Sequence, residues 1–94
     1  MQNIYEKKTK KGLIRVKVFV ENDTIKDITI EGDFFIYPED KIWELEEYLK
    51  STPIDENIIK EKVNEIMKDA EFVGSNLSDF YEVIINAVRG AKNE

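Results

Sequence analysis

From Ile14 to Val20 apolar residues fall on every second position, Ile14, Val16, Val18 and Val20, with Arg15 and Lys17 between them and Phe19 as the one exception. A period of two over β-branched residues describes a strand with one buried face. The run "IKDITI", residues 25–30, alternates again, with Ile28 and Ile30 on one side. Between the two runs "ENDT" supplies turn chemistry, because Asn22 and Asp23 tolerate a left-handed backbone. The two runs therefore read as an antiparallel hairpin. Upstream, "NIYEKK" reads as an earlier strand that "TKKG" turns into the hairpin, giving a three-stranded meander.

Pro38 changes the character of the chain. "PEDKIWELEEYLK" places Ile42, Leu45 and Leu49 at helical spacing with Tyr48 beside them, and puts Glu39 and Asp40 in the first turn. Carboxylates there suit the positive end of the helix dipole. Thr52-Pro53 ends this helix. Asp55 is the expected N-cap of a second helix whose core side carries Ile59, Val63, Ile66 and Met67. "EFVGSNLS" is expected to be a connector. A third helix follows, with Leu77, Phe80, Ile84, Ala87 and Val88 on one face and Gly90 as its stop. Strands first and helices afterwards imply an α+β fold, a small antiparallel three-stranded sheet with about three helices packed on one face. Its 94 residues suit a single domain over 1–94.

Much chemistry is excluded by what the chain lacks. It has no cysteine, which removes disulfides, thiolate metal sites and thiol redox chemistry. It has no histidine, the side chain most used for proton transfer near neutral pH. Gly12, Gly32, Gly74 and Gly90 are scattered, so no glycine-rich phosphate loop exists. Ser51, Ser75 and Ser78 have no histidine to activate them, and the carboxylates around Pro38 match no metal loop. No catalytic set stands out. No apolar run approaches the length of a membrane span, and "MQNIYEKKTKKG" lacks the apolar core of a secretory signal, so a soluble cytoplasmic protein with no membrane partner is expected.

Charge is unevenly spread. Residues 1–17 hold Lys7, Lys8, Lys10, Lys11, Arg15 and Lys17 against Glu6 alone, a net +5 within a chain whose total is −6. A basic hairpin on an acidic body suits a polyanion or an acidic protein surface.

One junction stands apart, "ITIEGDFFIYPED", where the second alternating run becomes the first helix. Gly32 lets the backbone turn or lets another element come close. Asp33 can tie down such a turn through backbone amides. Phe34 and Phe35 are neighbours, so in an extended chain they point in opposite directions. One fills the core and the other is left as an anchor for a partner, unless the chain bends to cover both.

The stretch "KKGLIRVKVFVENDTIKDITIEGDFFIYPEDKIWELEEYLKSTPID" resembles the C-terminal accessory domain of lipoate–protein ligases. The likeness rests on the lysine-glycine turn, the hairpin with its Asn-Asp turn, the Gly-Asp-Phe-Phe corner and the following Tyr37-Pro38-Glu39-Asp40, which is common in archaeal members. "FVGSNLSDFYEVIINAV" resembles the family's closing segment, so the similarity covers nearly the whole chain. The resemblance implies a fold like that of iron–sulfur scaffold proteins, although a chain without cysteine cannot assemble a cluster. It also implies a stand-alone small subunit of a two-chain, archaeal-type ligase. Such ligases use ATP to make lipoyl-AMP and pass the lipoyl group to a lysine of an acceptor, either the lipoyl domains of 2-oxoacid dehydrogenases or the glycine-cleavage H protein. Lipoate, ATP and magnesium would then be bound by the large catalytic subunit, not by this chain. On this reading Gly32, Asp33, Phe34 and Phe35 form the interface with the catalytic subunit, and Lys10, Lys11 and Gly12 form a second surface near a phosphate or an acidic acceptor. No residue is assigned a catalytic role. The competing reading is an independent binding module using the basic hairpin on nucleic acid or an acidic protein. The acidic total and the single aromatic on that strand, Phe19, weigh against nucleic acid.

Overall fold

The computed structural model describes residues 1–10 and 12–92. Three strands, β1 (Gln2–Thr9), β2 (Gly12–Glu21) and β3 (Thr24–Gly32), form an antiparallel sheet in the order β1-β2-β3. Asn22 and Asp23 join β2 to β3 at φ 53° and 58°, both left-handed, as a two-residue turn between right-twisted strands requires. On the inner face Ile14, Val16, Val18 and Val20 are all buried. The register sets Val16 opposite Ile30 and Val18 opposite Ile28, then shifts after Phe19 so that Val20 meets Ile25. Without that shift, Ile25 and Ile28, three residues apart, would point to opposite faces. The irregularity buries both.

The chain continues through β4 (Phe35–Tyr37), α1 (Lys41–Leu49), α2 (Glu56–Met67), β5 (Glu71–Val73) and α3 (Leu77–Lys92). α3 crosses β1 and β2, α1 rests on β3, and α2 packs between α1 and α3. The result is the expected α+β arrangement, a three-stranded meander with three helices. Phe80, Leu45, Leu49, Ile59, Val63, Met67 and Ile84 are essentially solvent-free at the centre. Asp55 caps α2, accepting the Asn57 and Ile58 N–H groups at 2.9 and 3.2 Å. The link between α1 and α2 is pinned to β3, where Ile25 N–H donates to Thr52 O at 2.9 Å and Ser51 N–H donates to Ile25 O at 2.7 Å.

Three local expectations are corrected. α1 begins at Lys41, so Glu39 and Asp40 precede the helix instead of filling its first turn, and the Asp40 side chain makes no cap. Gly90 does not stop α3, which runs on to Lys92. It is there for space: a Cβ at Gly90 would lie 2.0 Å from Asn3 Nδ2, whose amide reaches across from β1 to donate to Ala87 O at 2.9 Å. The largest departure is the connector. Its first three residues form β5, paired antiparallel with β4 as a separate two-stranded sheet. A three-residue strand is too short to reveal its period in sequence.

Candidate functional site

Gly32 closes β3 at φ +154°, opposite Ile14. A Cβ there would stand 2.0 Å from the Leu13 carbonyl oxygen, so only glycine allows this approach. The next residue uses the closeness. Asp33 N–H donates to Leu13 O at 2.8 Å, and Leu13 N–H reaches back to Asp33 Oδ2 at 3.4 Å. Gly12, at the start of β2, meets the same residue from the other side, since its Cβ would lie 2.5 Å from Asp33 Cβ. Gly74, beyond β5, lies against Asp33 O and Phe34 Cα. The Gly32-Asp33 corner and the Gly12 turn, far apart in sequence, are therefore one structural unit. Lys10 is exposed beside it; Lys11 lies outside the described residues.

This clasp sets the direction of the two phenylalanines. Phe34 turns inward, its ring edge-on to Phe80 at 5.0 Å and 80°. Phe72 of β5 flanks Phe80 from another side at 5.5 Å. Phe35 turns outward and is 66% exposed. The β4–β5 register places Phe35 opposite Val73 and Tyr37 opposite Glu71, with Ile36 and Phe72 on the inner face. Phe35, Tyr37 and Val73, the latter two each 48% exposed, thus form an apolar outer face on the small sheet. Beside it, Phe34, Phe35, Ile36, Glu39 and Ile42 line a shallow notch of about 280 Å³. Sequence reasoning grouped Gly32, Asp33, Phe34 and Phe35 as one interface and left open which ring is buried; Phe34 packs against the core and Phe35 is the exposed one. The same reasoning missed Tyr37 and Val73, because their alignment depends on the β4–β5 pairing.

A larger open cleft, about 700 Å³, lies between the end of β1 and the β5–α3 segment, with Lys8, Lys10, Phe72, Val73 and Ser75 in its lining. At its base Lys7 Nζ pairs with Asp79 Oδ1 at 3.0 Å and Glu82 Oε2 at 3.1 Å, tying β1 to α3. These hydrogen bonds, the one Lys7 donates to Asp79 first, raise the Lys7 pKa above the usual lysine value and keep the ammonium charged. Asn76 caps α3 by accepting Asp79 N–H at 2.9 Å. Among the described residues no group of three or more carboxylates could hold a metal ion. Asp33 fills the glycine-lined corner, leaving no cradle for a phosphate chain there. No helix of the described residues is long and apolar enough to cross a membrane.

Comparison with known proteins gives a consistent result. Residues 1–84 match the family described as bacterial lipoate protein ligase C-terminus. Lipoate-protein ligase A subunit 2 of Thermoplasma acidophilum is 46% identical over 71 residues, which span 73% of this chain and 69% of that protein. A solved chain from an archaeal lipoylation system of Thermoplasma acidophilum, comprising a bi-partite lipoate protein ligase and its E2 lipoyl domain, superposes with a TM-score of 0.80. It is 35% identical, and the match covers 89% of this chain and 94% of the other.

Proposed function

The chain belongs to the family of lipoate protein ligase C-termini, and from that premise we propose that it is the non-catalytic subunit of a two-chain lipoate–protein ligase. It docks on a larger catalytic chain, which binds lipoate, ATP and magnesium, and supports lipoyl-AMP formation and lipoylation of acceptor-protein lysines. The observation that carries this reading is the apolar outer face of the β4–β5 sheet, where Phe35 is 66% exposed beside Tyr37 and Val73. A protein of this size leaves so large a ring in water at little benefit to its own fold, whereas aromatic anchors of this kind dominate interface energetics. The absence of histidine and cysteine fits a subunit that contributes binding and not bond chemistry. Its effect on the larger chain is assembly: docking orders active-site loops so that the reacting groups are held together.

The test is lipoyl-AMP formation by the large ligase chain of the source organism, with and without this protein, with lipoyl-domain modification followed in the same samples. Strong dependence on this chain is expected. A large chain that forms lipoyl-AMP and transfers it equally fast alone would refute the reading.

A further inference from the structure

We infer that the cleft between β1 and β5 receives an extended acidic segment of the large ligase chain, which adds as a strand to the open sheet edges that flank it. The inference rests on the proposed subunit role and identifies which part of the partner is held, and where. β1 is the terminal strand of the three-stranded sheet, with β2 as its one strand neighbour. β5 is terminal in the small sheet, with β4 as its one strand neighbour. The cleft of about 700 Å³ is lined by the last residues of β1 on one side and by Phe72, Val73 and the following loop on the other. It thus lies between two terminal strands. Alternate N–H and C=O groups of a terminal strand point away from its neighbour, so an incoming extended chain finds main-chain partners ready.

Charge selects the occupant. Lysines on a sheet edge ordinarily discourage chance pairing. Lys8 and Lys10 stand at this cleft with no ion-pair partner among the described residues, so they discourage every strand except one of opposite sign. The acidic groups at the base counter them only in part, because Lys7 pairs with both Asp79 and Glu82 and offsets one of their two charges, which leaves this end of the cleft net positive. Val73 and Phe72 supply an apolar wall for one side chain of the segment. The first seventeen residues carry +5 in a chain of total −6, so the attraction is local to this end of the molecule. The Phe35 face and the cleft share β5, since Val73 belongs to both, and a single partner can cover them together.

Amide hydrogen exchange of this chain, free and bound to the large ligase chain, reads the inference residue by residue. Protection is expected to rise at least about tenfold in Lys7–Lys10 and Glu71–Val73 on complex formation. The Lys8→Glu, Lys10→Glu double variant should weaken the complex by at least about tenfold and flatten its salt dependence. Lys26→Glu, on β3 and away from the cleft, should bind as the unaltered chain does. Complex formation with no added protection at either edge would overturn the inference and leave the subunit role standing. Protection by the lipoyl acceptor domain alone would overturn it as well. Failure to form any complex would remove both.

Discussion

Replacing Phe34 and Phe35 by alanine, one at a time, separates folding from docking at a single corner. Phe34 lies edge-on to Phe80 at 5.0 Å and packs against the buried core. Truncating a fully buried phenylalanine costs about 3–5 kcal/mol, and an edge-to-face pair adds about 0.5–1.5 kcal/mol beyond area burial. Because part of the ring still meets solvent, Phe34→Ala should cost about 2–4 kcal/mol. A domain of 94 residues holds roughly 5–14 kcal/mol in total. The loss therefore lowers the melting temperature by roughly 10–25 °C. Phe35, 66% exposed, has little to lose on the folding side, and Phe35→Ala should stay within about 0.5 kcal/mol of the unaltered chain. In binding the order reverses. An anchor ring at the centre of an interface is worth about 2 kcal/mol or more, so Phe35→Ala should weaken the complex about 30-fold or more. Urea unfolding of the isolated chain and titration calorimetry with the large ligase chain, at a temperature where both variants are folded, give the two readouts. Equal stability of the two variants would refute the packing argument. Undiminished affinity of Phe35→Ala would refute the docking argument.

Gly32→Ala should cost at least about 2 kcal/mol in urea unfolding, because the new methyl meets the rigid Leu13 carbonyl at 2.0 Å; a change below about 0.5 kcal/mol would contradict it. Gly90→Ala alone should be close to neutral, since better helix propensity, about 1 kcal/mol, is offset by displacing the Asn3 amide from Ala87 O. In an Asn3→Ala background the same change should stabilise by about 1 kcal/mol, and a double-mutant cycle with no coupling would reject the explanation. The Lys7 ammonium, whose pKa is raised by its hydrogen bonds to Asp79 and Glu82, contributes stability that is fully present below the usual lysine value of 10.5 and is lost as pH rises through the higher folded value. The urea midpoint difference between the unaltered chain and Lys7→Met should thus be constant from about pH 7 to 10 and shrink above that, and a difference already fading near pH 8 would disprove it.

What the sequence determined by itself was the part of the molecule governed by local chemistry. The period-two run from Ile14 to Val20 and the Asn22-Asp23 turn specified the hairpin, because a half-buried strand and a left-handed two-residue turn each admit few residue types. Asp55 marked the start of α2, because a side-chain acceptor at that position satisfies free amides within three residues of itself. The Gly-Asp-Phe-Phe corner was visible as a candidate, with two readings open: an extended chain that parts its two rings, or a bend that covers both. Tertiary structure decided which ring went where. Phe34 is held inward where Gly12 and Gly74 meet Asp33 from two distant segments and Gly32 lets Leu13 come close, and no local pattern encodes a meeting of distant chain. Gly90 shows the same limit: read locally it is a helix stop, yet its small size serves Asn3, eighty-seven residues earlier. The β4–β5 pairing, the Phe35–Tyr37–Val73 face and the basic cleft between two terminal strands likewise arise only when residues 35–37 and 71–73 are brought together. Short strands carry too few residues to announce themselves, and long-range pairing is decided by what the folded core leaves adjacent.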